Sequence, residues 1–340
     1  TRLADLNTAI SNANGTSETP TEITIAPEGI TVDSAVIIDN KHIKLTGGTL
    51  TRAASYKNNL IEVKNGGSLT LQNITLDGNK ANATGGCLIN LNKAALVLED
   101  GAVLTNNKGG SAINIGYHIS DFSSITMNGG VISNNAADSG GAIKDSDMNT
   151  VITIKGGKIT GNTATGTSSN STYGGAIYSN GSLIIEGGEI TGNSVPNGRG
   201  GGIFKTGGSD KVFTVTGGTI SGNTARTDEY KGDNVYVNQC AFTLGGAANI
   251  PDGLYLKLGG SYSTFTIASA LQNPVEIEAI DNHPAAGTLV ASGASGYTIT
   301  AEDLAKFSYK DGAYAFVLES NQIKLRAAGS TDPAATGGTI

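Results

Sequence analysis

The sequence predicts an all-β protein: a right-handed, single-stranded parallel β-helix, a solenoid of three sheets and about eleven coils with an N-terminal capping helix. Three observations predict this fold. They are a high glycine content, many short apolar segments of alternating pattern, and a phrase that recurs along the chain. The 340 residues include 49 glycines and no Trp, yet 38% are hydrophobic, which is enough for a core of aliphatic side chains.

The recurring phrase is a hydrophobic run followed by Gly-Gly, Ile, Ser or Thr, Gly and Asn, and its asparagine returns every 27 to 31 residues. A fixed period of this length is typical of solenoids, in which each repeat stacks only on its neighbours. Each unit holds about three short alternating segments without helical periodicity, so each coil should add one strand to each of three parallel sheets.

The repeated asparagine predicts an amide ladder at one corner of the coil. Its side chain can donate to and accept from the asparagine one coil away, and asparagine tolerates the left-handed backbone that tight bends require. Gly-Gly pairs should build the other corners. The predicted ladder consists of Asn79, Asn107, Asn135, Asn162, Asn193 and Asn223.

The two ends of the chain read differently from its middle. An apolar helical face formed by Leu3, Leu6, Ile10 and Ala13 predicts a helix that covers the first coil, as solenoids need caps. After the last phrase the strand-like segments continue less regularly. The predicted units are a capping helix in 1–16, regular coils with the ladder in 17–246, less regular coils and a cap in 247–326, and a linker-like tail in 327–340.

Charge and hydropathy exclude two classes of partner. The net charge is −7 and no stripe of Lys and Arg is present, so nucleic acid is not an expected partner. No apolar run approaches the length needed to cross a bilayer, so membrane insertion by this segment is not expected. Cys87 and Cys240 fall several coils apart, which predicts buried free thiols and no disulfide.

The repeats resemble those of the right-handed β-helices of the pectate-lyase-like superfamily. In phrase they are most similar to bacterial polymorphic outer-membrane proteins, whose repeat is built on Gly-Gly-Ala-Ile and Phe-x-x-Asn. Here GGAI stands at 140–143 and 174–177 and GGGI at 200–203, while Ile-x-x-Asn replaces Phe-x-x-Asn. The resemblance implies a secreted or cell-surface bacterial β-helix of the adhesin type. It leaves catalysis open, because the superfamily also holds lyases and hydrolases.

Motifs for catalysis are weak. Pectate lyases as a family use acidic calcium ligands beside an arginine, and here Arg199 and Arg226 follow consecutive asparagine corners without a dense carboxylate group nearby. The polygalacturonase motifs Asn-x-Asp, Asp-Asp and Gly-His-Gly do not occur. No catalytic residue is therefore predicted. A polysaccharide lyase or glycoside hydrolase acting on an acidic polymer stays open as an alternative, as does a structural stalk.

One segment suggests a metal. In KDSDMNT, Asp145, Asp147 and Asn149 alternate like the start of a calcium loop, although the glycine and distal glutamate of an EF-hand are missing. A loose oxygen cluster for calcium is thus the only cofactor that the sequence suggests.

Repeat length varies mainly between the asparagine corner and the next strand, so insertions gather on one side of the column. Loops on a rigid scaffold are where binding residues concentrate, and tyrosine with arginine and carboxylates suits carbohydrate or protein contact. The candidates are Tyr173, Arg199, Arg226, Asp228, Glu229, Tyr230 and Lys231. The sequence therefore predicts a non-catalytic module, monomeric within a longer chain, that binds an extracellular glycan or glycoprotein.

Overall fold

The computed structural model describes residues 2–116, 122–168, 171–226, 232–257, 264–280 and 284–329. Within these ranges the chain winds into a parallel β-solenoid of about nine turns. An α-helix, Leu3–Ser11, precedes the first coil, and a short helix, Ala301–Leu304, and a 3-10 turn, Lys310–Gly312, lie near the end. No helix in the described ranges has the length and apolar character to span a membrane.

Three long sheets form the sides of the solenoid, with a small fourth sheet at one corner. Sheet A has thirteen strands, in spatial order Thr21–Ile25, His42–Gly47, Ser68–Gln72, Ala95–Leu98, Ser124–Met127, Val151–Ile154, Ser182–Ile185, Gly208–Val215, Cys240–Leu244, Thr264–Ile267, Leu289–Gly293, Gln322–Ala327 and Tyr314–Glu319. Sheet B has eight: Ile30–Val32, Thr49–Arg52, Thr75–Asp77, Val103–Thr105, Val131–Ser133, Lys158–Thr160, Glu189–Thr191 and Thr219–Ser221. Sheet C has eleven: Val36–Asp39, Ile61–Lys64, Ile89–Asn92, Ile113–Ile115, Ile143–Asp145, Ile177–Ser179, Ile203–Lys205, Val235–Asn238, Ile250–Lys257, Val275–Ile280 and Phe307–Tyr309. The fourth sheet has three: Lys108–Gly109, Ala136–Ala137 and Thr163–Ala164.

The core is a set of aliphatic columns inside the coil. Because side chains alternate across a strand, every second residue points inward, and parallel register places like residues above one another. One column in sheet B runs through Leu50, Leu76, Leu104, Ile132, Ile159, Ile190 and Ile220, all fully or almost fully buried. Burying each such side chain contributes about 1.5–3 kcal/mol, which explains why short strands suffice here.

Both ends of the solenoid are covered. Leu6 and Ile10 of the first helix are buried, and the helix packs on strands Ile30–Val32 and Val36–Asp39. At the other end, Tyr314–Glu319 and Gln322–Ala327 form an antiparallel hairpin that extends sheet A. The tail from residue 330 onward lies outside the described residues.

The predicted count of eleven coils was too high, since the structure has about nine turns. Sheet B ends at Thr219–Ser221, whereas sheets A and C continue. Within the described residues, the coils after Ser221 have strands in sheets A and C and none in sheet B, so they are not full three-sided coils.

An amide ladder lines the corner after sheet B. Asn162 shows its repeating unit: its backbone N–H and its Nδ2 both donate to Oδ1 of Asn193, at 3.0 and 2.9 Å. Its Nδ2 also donates to the carbonyl oxygen of Ile132 at 2.9 Å, which ties the ladder to the previous strand. The ladder runs through Asn107, Asn135, Asn162, Asn193, Asn223 and Asn234.

Five of the six predicted asparagines belong to this ladder, and Asn79 does not. Asn79 has a positive φ of 54° and its Nδ2 donates to the carbonyl oxygen of Arg52 at 3.0 Å. At later corners the left-handed residue instead precedes the ladder asparagine, as with Asn106 before Asn107. The left-handed backbone therefore belongs to the neighbour of the ladder residue and not to the ladder residue itself.

Charged groups stand at both ends of the ladder. Nη2 of Arg52, a fully buried side chain, donates to Oδ1 of Asn107 at 3.1 Å. At the opposite end, Nδ2 of Asn234 donates to the carbonyl oxygen of Asp252 at 2.9 Å and to its carboxylate. From Asn135 to Asn234 the side-chain amides point head to tail, an arrangement in which each bond polarises the next. Asn107 joins the ladder through its backbone N–H, since its Nδ2 donates to backbone carbonyl oxygens.

Candidate functional site

The outer face of sheet C carries the candidate site, because the loops after the ladder corner lead into this sheet. Its outward side chains form one column in register, polar in the early coils and aromatic in the later ones. In order the column contains Glu62, Asn90, Asn114, Lys144, Tyr178, Phe204, Tyr236 and Tyr255.

The aromatic half forms a second small core outside the solenoid. The ring of Phe204 stacks on Tyr173 at 4.2 Å and on Tyr236 at 5.0 Å, and Tyr236 stacks on Tyr255 at 4.4 Å between centroids. Phe204, Tyr236 and Tyr255 are only 4%, 2% and 1% exposed, whereas Tyr173 and Tyr178 are half-buried. Burial raises the pKa of Tyr178. Among the described residues of this stack, the accessible rings are therefore those at its early edge, Tyr173 and Tyr178.

Two predicted binding residues meet at that edge. Tyr173 and Arg199 form an isolated parallel β-bridge through their backbones. The guanidinium carbon of Arg199 lies 5.6 Å from the ring centroid of Tyr236, within cation–π range. Arg226 belongs to the next loop, where its backbone N–H donates to the carbonyl oxygen of Gly198 at 3.3 Å. The other four predicted residues, Asp228, Glu229, Tyr230 and Lys231, lie outside the described residues.

A polar cleft of about 220 Å³ lies beside the early half of the column. Its lining consists of Asn59, Gly86, Cys87, Asn90, Gly109, Gly110, Ser111, Asn114, Ala137, Asp138, Ser139 and Lys144. Gly109 has a φ of +112°, and a Cβ there would stand 2.3 Å from the carbonyl oxygen of Gly85. Part of the wall is therefore backbone that no larger residue could replace.

The side chains of the cleft are held by hydrogen bonds across coils. Nδ2 of Asn114 donates to Oδ1 of Asn90 at 2.9 Å. Oδ1 of Asn59 accepts from the thiol of Cys87 at 2.9 Å, and Nδ2 of Asn59 donates to Glu62 at 3.2 Å. Such bonds fix side-chain orientation before any ligand arrives, which lowers the entropy cost of binding.

Both cysteines are free and buried, as the sequence predicts. Burial raises the pKa of Cys87 to about 12 and that of Cys240 to about 11. At neutral pH these thiols are protonated, and a protonated thiol is neither a nucleophile nor a metal ligand.

The segment 145–149, which the sequence suggests as a calcium site, forms a turn closed by its own side chains. Oδ2 of Asp145 accepts from the hydroxyl of Ser179 at 2.9 Å and from the N–H of Gly181 at 3.0 Å. Its Oδ1 accepts from the N–H of Asp147 at 3.1 Å, and Oδ1 of Asp147 accepts from the N–H of Asn149 at 3.0 Å. Across the described ranges, no three His, Cys, Asp or Glu side chains are grouped to hold a metal. Asp145, Asp147 and Asn149 thus build the turn, and the alternation seen in the sequence follows from that geometry.

A buried lysine near this turn was not anticipated from the sequence. Lys205 points inward, two strands along sheet C from Asp145, and its Nζ donates to the carbonyl oxygen of Thr206. Burial lowers the pKa of Lys205 to about 8. The sequence gives no signal for this position, because the phrase around Lys205 looks like an ordinary alternating strand.

The outward column, in contrast, could have been found from the sequence. Each of its middle members directly follows the first apolar residue of a sheet C strand, as Asn114 follows Ile113 and Tyr178 follows Ile177. Reading that one position along the repeats gives Asn, Asn, Lys, Tyr, Phe and Tyr.

Comparison of the chain with protein-family models, with curated proteins and with solved structures found no match in any of the three. The likeness of its repeats to pectate-lyase-like and polymorphic outer-membrane proteins therefore remains a prediction from the sequence.

Proposed function

We propose that this chain is an adhesion module that binds a glycan or glycoprotein on the outer face of sheet C. One observation carries the proposal: Tyr173 and Arg199, partly accessible, are fixed against the buried rings of Phe204 and Tyr236. The N–H of Tyr173 donates to Oγ of Ser139, in the lining of the polar cleft, at 3.0 Å. A flat ring beside fixed hydrogen-bonding groups suits a sugar, which has apolar C–H faces and hydroxyl edges.

Rigidity supports binding at this place. Tyr173 belongs to a loop, but its ring stacks on Phe204, which sits in a strand and is 4% exposed. The Tyr173 side chain is therefore already ordered before a ligand binds. Binding there costs little side-chain entropy, so little affinity is lost.

We further propose that the module acts outside the cell, secreted or on a bacterial cell surface. The supporting observation is the likeness of GGAI at 140–143 and 174–177 to the repeats of bacterial surface proteins. Labelling of intact cells with a membrane-impermeant reagent tests this location: modification of the protein before lysis supports it, and modification only after lysis opposes it.

Hydrolysis of the bound sugar is the rival function. Glycoside hydrolases generally use two carboxyl groups across the scissile bond. The described lining of the cleft contains one carboxylate, Asp138, so binding is the simpler account of the residues present. A test of binding must nevertheless also follow cleavage.

The experiment is a glycan-array screen of the purified chain, followed by calorimetry on the ligands found and by assays for reducing ends and unsaturated products. Tyr173→Ala and Arg199→Ala should each weaken binding about tenfold, the equivalent of one lost contact of about 1.4 kcal/mol. Phe122→Ala and Arg2→Ala are matched controls, because Phe122 is 74% exposed at another corner and the Arg2 side chain, just before the first helix, is 84% exposed.

Three results would change the proposal. Equal loss of binding in the control variants would point to a general effect and not to this face. Product formation would make the chain an enzyme. Absence of both binding and cleavage would leave a structural stalk as the better account.

A further inference from the structure

We propose that the polar cleft is a subsite for an uncharged saccharide, and that Asn90 and Asn114 select it by binding a vicinal diol. This inference rests on the proposed function, because it assumes that the outer face of sheet C binds sugars. It concerns different residues from Tyr173 and Arg199, so the two can fail separately.

The first step is the geometry of the amide pair. Asn90 and Asn114 are paired in adjacent strands of sheet C, point outward, are half-buried and line the cleft. Adjacent strands place them about 4.8 Å apart. Nδ2 of Asn114 donates to Oδ1 of Asn90 at 2.9 Å, which fixes both amides relative to each other.

The second step counts the hydrogen-bonding groups that remain. An asparagine amide offers two N–H donors and one carbonyl oxygen acceptor. Once the pair has formed its mutual bond, Nδ2 of Asn90 and Oδ1 of Asn114 have no further hydrogen bond within the described residues. From neighbouring coils, the pair therefore presents the two N–H groups of Asn90, the second N–H of Asn114 and the acceptor Oδ1 of Asn114.

The chemistry that matches this pair is two adjacent hydroxyls. A hydroxyl can accept from Nδ2 of Asn90 while its neighbour donates to Oδ1 of Asn114, so one diol bonds to both amides at once. A ligand without the diol would leave these half-buried groups unpaired, and such losses discriminate strongly between sugars.

Asn59 does not compete for this role. Its Oδ1 already accepts from the thiol and the N–H of Cys87, and its Nδ2 donates to Glu62. It forms a fixed wall of the cleft and leaves the Asn90–Asn114 pair as the selective element.

The third step is charge. Among the described lining residues the charged side chains are Asp138 and Lys144, one of each sign. The cleft has no net charge from its lining and therefore offers no electrostatic advantage to a polyanion. An uncharged saccharide fits this balance better than an acidic one.

The test uses calorimetry with manno-, gluco- and galacto-oligosaccharides and with oligogalacturonides of matched length. We expect an uncharged oligosaccharide to bind at least tenfold more tightly than the oligogalacturonide. Treatment of that oligosaccharide with periodate, which cleaves vicinal diols, followed by borohydride reduction should abolish binding. Asn90→Ala and Asn114→Ala should each weaken binding of the untreated sugar at least tenfold.

Asn128→Ala is the matched control, because Asn128 is an exposed asparagine whose Nδ2 also bonds across coils, to Glu99 at 2.9 Å. Its binding should equal that of the wild type, and urea unfolding of all three variants verifies that they are folded. Binding that survives periodate, that is unchanged in Asn90→Ala and Asn114→Ala, or that prefers the oligogalacturonide would overturn the inference but leave the proposed function standing. If the wild type binds no saccharide at all, both are wrong.

Discussion

At the scale of single residues, the least expected groups are the ionisable side chains inside the solenoid. Asp145 is fully buried although it is charged in water at neutral pH, and three hydrogen bonds from two coils offset only part of its lost hydration. Burial raises the pKa of Asp145 to about 6. The ionised form of this residue is therefore a cost to folding, whatever its value to the turn.

This pKa gives stability a definite pH dependence. Because the folded-state pKa of about 6 lies above the usual aspartate value of 3.8, the folded protein holds an extra proton between these pH values. The contribution of Asp145 to the free energy of unfolding should therefore be greatest below pH 4 and should fall as the pH rises to about 6. Urea unfolding of the wild type and of Asp145→Asn across this pH range measures this contribution. In the variant, the decrease of the free energy of unfolding with pH that Asp145 causes should be absent.

The control for this measurement is Asp138→Asn, which makes the same substitution at an exposed side chain. The interior also contains Lys205, whose pKa is lowered to about 8, so the measurement should stop below pH 7 to keep the two titrations apart. An identical slope in the wild type and in Asp145→Asn would contradict the assignment.

At the scale of elements, the amide ladder joins coils that would otherwise share only strand hydrogen bonds and apolar columns. Asn162, in its middle, accepts from the N–H and Nδ2 of Asn135 and donates to Asn193. These atoms are buried, so each one left without a partner costs about 1–3 kcal/mol.

Asn162→Ala should therefore lower the free energy of unfolding by about 2–5 kcal/mol, because it removes the acceptor of the N–H and Nδ2 of Asn135 and the donor to the carbonyl oxygen of Ile132. Asn79→Gly is the comparison, since Asn79 lies off the ladder in a left-handed backbone that glycine adopts without strain. The free energy of unfolding of Asn79→Gly should fall by no more than about 1 kcal/mol. Denaturant unfolding at neutral pH decides, and equal losses at both positions would mean that the ladder carries no special share of stability.

The sequence predicts the ladder where the phrase repeats and fails where the phrase stops. Asn135, Asn162 and Asn193 each follow the corresponding sheet B strand of their own repeat, so their spacing alone identifies them. Arg52 and Asn234 complete the ladder from outside the phrase, and no local signal marks them because their positions depend on how coils stack.

On the outer face of sheet C, too, the sequence shows what repeats along the chain and does not show what depends on tertiary packing. Its column is visible in the sequence as one position read across repeats, but the burial of Phe204 and Tyr236 is not, since it depends on what covers that face of the sheet. The sequence therefore shows which side chains form the column and does not show which of its rings remain accessible.

At the scale of the whole molecule, a solenoid must protect the two ends of its sheets. Among the described residues, Ile30–Val32 and Val36–Asp39 are the terminal strands of sheets B and C, and the helix Leu3–Ser11 packs against them. Unpaired strand edges are templates for pairing with another chain, so this helix acts against end-to-end association as well as for stability.

Replacing both Leu6 and Ile10 by Asp should detach this helix, because each side chain is at most 3% exposed and aspartate cannot be buried there without a partner. The solenoid itself should persist, since its columns and ladder do not involve the helix. We expect concentration-dependent self-association in light scattering with the strand signal retained in circular dichroism. Thr8→Asp, on the exposed side of the same helix, controls for added charge and should remain monodisperse. Complete unfolding of the double variant would mean that the helix nucleates the column, whereas a monodisperse, folded double variant would mean that the first coil protects its own edge.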